Sequence, residues 1–156
     1  FVGQNLGAGK LDRVKKGVNI GILIAMAGTL IIIVPLMCFS DTMLKLFNSD
    51  PEVLRYGRMF VLYMSPFYIP YCATQIYSGA LRGAGDSLSP MIVTIASFVV
   101  FRQLYLLIGT QFISSPMVVG LSYPAGWIVS TITLFIIYRS GRWEKKLPAH
   151  VRMQAA

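Results

Sequence analysis

The sequence predicts an all-α membrane protein with four transmembrane helices, and three observations predict it. Of its 156 residues 55% are hydrophobic and only 13% charged, with a mean hydropathy of +0.64, too few polar side chains to cover a water-facing surface. Four stretches, residues 18–39, 57–81, 90–113 and 117–138, each supply the roughly 20 apolar residues with which a helix crosses a hydrocarbon core of about 30 Å. None has the one-sided charged face of a soluble amphipathic helix, so their backbone polar groups must be satisfied within helices.

Residues 1–17 read as the end of a preceding helix followed by a basic loop. Phe1 falls inside an ongoing element and no signal pattern precedes it, so the expectation is a fragment of a longer polypeptide. The opening GQNLGAGK fails as a phosphate loop: Gln4 stands where glycine is needed and Leu11 where Ser or Thr is needed. Gly7 and Gly9 instead suit a helix C-terminus, with Lys10, Arg13, Lys15 and Lys16 in a solvated loop. Gly17 and Gly21, like Gly79 and Gly83 further on, are spaced for close helix packing. The first span carries no charge; beyond it, Asp50-Pro51-Glu52 is a helix-start signal for the second.

Pro66 and Pro70 lie inside the second span, each removing a backbone donor and favouring a kink. Carbonyls freed at membrane depth are tolerated where they line a cavity or are buried by protein. Tyr71, Gln75, Ser78 and Arg82 fall on one helical stripe, polar enough either to line a cavity or to hydrogen-bond between helices. A second Gly-Ala-Gly, in LRGAGDSLSP, ends this helix at Gly83 and Gly85, on the same side of the membrane as the first. Arg102 stands twelve residues into the third span, about 18 Å from its end at the helical rise. An arginine there costs about 2.5–3.5 kcal/mol on insertion scales, so it should face protein or water. The spans hold no Asp or Glu, which leaves neutral acceptors: tyrosine hydroxyls, with Tyr105 three residues on, or carbonyls freed by Pro66 and Pro70. In the fourth span Trp127 is placed to pack; Trp143, just beyond it, fits an interfacial anchor.

The net charge of +8 is explained by placement rather than by a nucleic-acid partner. Ten of the fourteen basic residues fall in the segments before the first span, between the second and third, and after the fourth. With four crossings these share one side, cytoplasmic by the positive-inside rule, as is the tail at 139–156. Cys38 and Cys72 read as small hydrophobes and His150 lacks ligand-spaced companions, so neither a disulfide nor a metal is expected.

Taken in order, GQNLGAGKLDRVKKG, the proline-kinked helix ending in ALRGAGDSLSPM, FRQLYLL, and YPAGW followed by IIYRSGRW resemble the last four helices of a bacterial multidrug and toxic compound extrusion (MATE) transporter. The likeness covers nearly the whole chain. It implies twelve helices in two bundles of six, of which these four would be part of the six-helix C-terminal bundle, with the N-terminal bundle of the same polypeptide missing. It further implies a bacterial inner-membrane antiporter that exports amphipathic organic compounds against inward protons or sodium by alternating access. The family couples ion to substrate through acidic residues within its helices; no such carboxylate is present here, so a coupling ion is expected without a site in this chain, and no cofactor.

Tyr71, Gln75, Arg102 and Tyr105 are the candidates for a substrate cavity, offering aromatic faces, an amide and a guanidinium. A flippase of a lipid-linked anionic substrate would use Arg102 as a phosphate contact. An enzyme is disfavoured: there are no paired intramembrane carboxylates and no HExxH, and GLSYP around Ser122 is no nucleophile elbow. A small structural membrane protein would explain the missing carboxylates but neither Arg102 nor the paired prolines.

Overall fold

A computed structural model describes residues 1–113 and 115–145; the tail residues 146–156, with Lys146, His150 and Arg152, lie outside the described residues. The described chain is all-α. A short helix α1 (Val2–Gly7) leads to α2 (Leu11–Cys38), and a single-turn piece α3 (Ser40–Lys45) leads to α4 (Pro51–Met64). A 3₁₀ turn at Ser65–Phe67 connects α4 to α5 (Tyr68–Gly83). The next rod is α6 (Leu88–Ile95), a π-helical turn at Ala96–Phe101 and α7 (Arg102–Phe112), followed by α8 (Pro116–Arg139) and α9 (Arg142–Lys145).

Three helical rods are long and apolar enough to cross a membrane: Leu11–Cys38, Leu88–Phe112 and Pro116–Arg139. The second predicted span, residues 57–81, is not one helix. It is divided between α4 and α5 where Ser65 and Pro66 tighten the backbone into the 3₁₀ turn, because Pro70 has no N–H to continue the α-helical ladder back to Pro66. Helix starts follow the local signals. Asp50 accepts the N–H groups of Glu52 at 2.8 Å and Val53 at 3.4 Å ahead of Pro51, and Ser115 accepts that of Met117 at 3.3 Å ahead of Pro116.

The two Gly-Ala-Gly segments are the same structure. Gly9 (φ +70°) and Gly85 (φ +86°) sit in the left-handed region, which glycine enters without a Cβ penalty. The N–H of Lys10 donates to the Asn5 carbonyl and that of Gly9 to Leu6; the N–H of Asp86 donates to Leu81 and that of Gly85 to Arg82. Both are Schellman caps, and both send the chain back into the bundle at the same end.

There α1, α2, α5, α8 and α9 close around a core that includes Leu6, Val14, Leu81, Leu134, Tyr138 and Trp143. Trp143 corrects the interfacial-anchor expectation: it is 1% exposed, stacks on Tyr138 with centroids 5.4 Å apart, and donates its indole N–H to the Tyr138 carbonyl at 2.9 Å. The turn at Gly141 folds it back under α8 instead of outward to the headgroups. Glycine packing is realised at Gly83, where a Cβ would meet Val2 Cβ at 2.9 Å; at Gly79 it would meet nothing within 4 Å.

The central element is α8, which packs against α4, α5, α6 and α7, while α5 separates it from α2. Its residues Val118, Ser122, Gly126, Ser130, Leu134 and Tyr138 are all buried, one every fourth position. At Gly126 a Cβ would come within 3.1 Å of the Ser97 carbonyl, so the small residue lets α8 lie against the π turn.

Candidate functional site

Arg102 is the first residue after the π turn. The wider turn changes the phase of the helix that follows, and π turns recur at functional sites for that reason. The half-buried guanidinium faces α8: Nε donates to Ser122 Oγ at 3.2 Å, and the charge lies 3.6 Å from the centroid of the Tyr123 ring. The fully buried Ser122 in turn donates to the Val119 carbonyl at 2.6 Å. The partners are therefore a serine hydroxyl and an aromatic face of the fourth span, not the expected tyrosine hydroxyls or the Pro66 and Pro70 carbonyls. A cation–π contact away from water contributes about 0.5–2 kcal/mol, which together with a charge-assisted hydrogen bond offsets much of the insertion cost.

Beside Arg102 is a cavity of about 180 Å³ lined also by Phe98, Ser122, Tyr123, Gly126 and Trp127. Trp127 is the hub of its aromatic wall, with ring centroids 4.9 Å from Tyr68, 5.0 Å from Tyr71 and 6.5 Å from Tyr123; Tyr71 also lies 6.4 Å from Phe98. On the far side of Tyr71 and Phe98 opens a cleft of about 400 Å³ between α5 and α6, lined by Tyr71, Gln75, Ser78 and Arg82 on one side and by Thr94 and Phe98 on the other. The polar stripe read from the sequence thus shares one wall. Within it Gln75 donates to the Tyr71 hydroxyl at 2.6 Å, and Arg82 Nε donates to the Ser78 carbonyl at 3.3 Å.

The structure brings Tyr71, Gln75 and Arg102 to two adjoining cavities that share Phe98. Tyr105, one turn further along α7, lines neither. Pro66 lies in the 3₁₀ turn, and Pro70 in the first turn of α5. The Pro70 carbonyl is 2.9 Å from the Thr131 hydroxyl, itself 2.7 Å from that of Thr74, so it serves helix packing rather than Arg102. The sequence reading missed Ser122, Tyr123 and Trp127 as site residues. The four-residue spacing of small residues through Ser122, Gly126 and Ser130 is the signal that marks this helix as central.

Chemically, the arrangement is a positive charge at the edge of an aromatic wall, with guanidinium N–H donors that meet no acceptor among the described residues. It suits recognition of a flat or amphipathic molecule; the Ser122 hydroxyl meets an arginine and a carbonyl, the opposite of what activates a nucleophile. Among the described residues no group of His, Cys, Asp and Glu is placed to hold a metal ion.

Fold and site together define a multi-pass membrane protein with a cationic side chain held inside a helical bundle. The chain belongs to the MatE family, whose model matches residues 1–108. Among curated relatives, the probable multidrug resistance protein YpnP of Bacillus subtilis is 26% identical over 144 residues, 92% of this chain and 32% of that protein. The probable multidrug resistance protein NorM of Thermotoga maritima is 23% identical over 147 residues, 94% of this chain and 32% of that one. The FAD transporter of Shewanella oneidensis is 26% identical over 99 residues, 64% of this chain and 22% of that one. The chain spans about a third of the length of the first two. No solved structure matches it significantly.

Proposed function

We propose that this chain is part of a secondary active antiporter, not an enzyme, that exports drugs or other amphipathic organic compounds in exchange for protons or sodium by alternating access. Membership of the MatE family and the multidrug resistance names of its relatives support this reading. The observation that carries it is Arg102, a membrane-depth charge spent on a cavity wall of aromatic rings rather than on an ion pair. In this reading Tyr71 and Gln75 contact substrate from the adjoining cleft, and the division at Pro66 and Pro70 gives α5 freedom to tilt between states. The remaining helices of the polypeptide supply the second bundle and the coupling carboxylate. The protein sits in the inner membrane of a bacterium, with the Lys10–Lys16 loop, Arg82 and the C-terminal tail in the cytoplasm.

The test is energised efflux of a fluorescent cationic dye from cells expressing the full-length protein, wild type against Arg102→Ala at matched expression. Gradient-dependent efflux that falls about tenfold or more in the variant is expected, because without the guanidinium the Ser122 hydroxyl and the Tyr123 ring lose the contact that fixes the cavity wall. Wild-type efflux left intact by the substitution would make Arg102 a packing residue. Absence of efflux in any gradient would move the assignment to the flippase reading. That second reading is favoured by the sign of Arg102, since a guanidinium beside aromatic rings suits an anionic substrate; the relative named an FAD transporter fits the same chemistry.

A further inference from the structure

Remote from Arg102, at the end of the bundle that carries Lys15 and Arg139, a separate cavity of about 180 Å³ lies between α2, α5, α8 and α9. Tyr77 and Phe135 form an aromatic corner with ring centroids 5.9 Å apart, and Tyr138 lies 5.2 Å from Tyr77. Tyr138 is 9% exposed, and its hydroxyl has no hydrogen-bond partner among the described residues. A buried phenol donor left unmade is unfavourable, and here it belongs to a residue that lines a cavity large enough for a ligand.

The charges at the rim decide the sign of that ligand. Lys15 pairs with Glu144 at 3.0 Å, whereas Arg139 has no carboxylate partner among the described residues and leans over the Phe135 ring at 6.0 Å. Two cations and one carboxylate leave the rim with one net positive charge. The surroundings decide its carrier. About two helical turns along α2 from Lys15 and along α8 from Arg139 stand Leu23 and Ile132, both exposed and apolar. A cavity with a net positive rim thus lies at the ends of two helices long and apolar enough to cross a membrane, next to exposed apolar side chains.

We propose that this cavity binds the phosphodiester group of an anionic phospholipid. The Tyr138 hydroxyl donates to a phosphate oxygen, Arg139 and Lys15 supply the positive charge, and the acyl chains lie along α2 and α8. A free phosphate ion would satisfy the same donors, but the exposed apolar Leu23 and Ile132 nearby favour an anion that carries acyl chains. Basic pockets between helices at the cytoplasmic face are a recurrent setting for anionic headgroups.

The test is native mass spectrometry of the full-length protein in a neutral detergent, titrated with phosphatidylglycerol, with phosphatidylcholine of the same chains, and with inorganic phosphate. Retention of phosphatidylglycerol at about tenfold lower concentration than phosphatidylcholine is expected, and Tyr138→Phe and Arg139→Gln should each weaken it severalfold, toward tenfold. Arg139 is exposed, so its variant reports on binding even where the tyrosine change disturbs folding. Equal retention of the two lipids, or phosphatidylglycerol binding that neither variant alters, would overturn the site. Displacement of phosphatidylglycerol by inorganic phosphate would overturn the lipid as carrier and assign the donors to a free anion.

Discussion

At the end of the bundle where the two Gly-Ala-Gly turns lie, five helices bury Val14, Leu81, Leu134 and Trp143 almost completely, whereas at the other end α4 and α7 bury no residue at all, and Leu46 and Phe47 stand 80% and 89% exposed. The Gly-Ala-Gly end has the more charged sequence of the two, with Lys10, Asp12, Arg13, Lys15, Lys16, Arg82, Asp86, Arg139, Arg142 and Glu144, so hydropathy does not make the difference. What differs is closure. At the first end the chain turns back on itself three times, at Gly9, Gly85 and Gly141, and each turn delivers a helix terminus onto its neighbours. At the second end α3 packs on α4, with Leu44 over Gly57, and Phe60 of α4 lies over Gly120 of α8. One end is a core in its own right; the other presents its apolar surface to lipid or to further protein.

The largest effect that would break this contrast is a core truncation. Leu81→Ala should lower the stability of the full-length protein by about 2–5 kcal/mol, while Phe47→Ala should change it by less than about 0.5 kcal/mol. Thermal aggregation in detergent, followed by size-exclusion chromatography, reads both; equal losses would mean that Phe47 is covered by some other part of the protein. The turns sharpen the contrast next. Gly85→Ala forces a Cβ into the left-handed region and should cost about 1–2 kcal/mol, whereas Gly79→Ala, in a helix with open space around it, should be neutral or gain up to about 1 kcal/mol. A matching loss at Gly79 in the same thermal assay would show that another part of the full-length protein packs closely against it. The smallest effects belong to the open end: Asp50→Ala removes the cap of α4 for about 1 kcal/mol, and Arg58→Ala, which breaks an exposed 3.3 Å pair with Asp41, should cost less than about 0.5 kcal/mol. Hydrogen exchange over 51–64 checks both, with faster exchange in the Asp50 variant alone.

What the sequence determined by itself is whatever local chemistry decides. Apolar runs long enough to cross a bilayer, Asp50 ahead of Pro51, Gly9 and Gly85 after their helices, and the steps of four and three that put Tyr71, Gln75 and Ser78 on one wall are properties of a few neighbouring residues, and the structure repeats them. Even the place of Arg102 near the middle of its rod was legible by counting.

Its partners were not, because Ser122 and Tyr123 lie 20 and 21 residues away on another helix, and which faces meet depends on how the two helices rotate about their axes. That rotation is set jointly by the π turn at Ala96–Phe101 and by Gly126 against the Ser97 carbonyl, neither of which hydropathy registers. The same holds for Trp143. Its sequence context places it at an interface, and only the reversal at Gly141, with Tyr138 as a stacking partner, carries it inside. Helix ends are written in side chains that touch their own backbone; helix neighbours are chosen by shape and packing across the whole bundle, which only the tertiary structure decides.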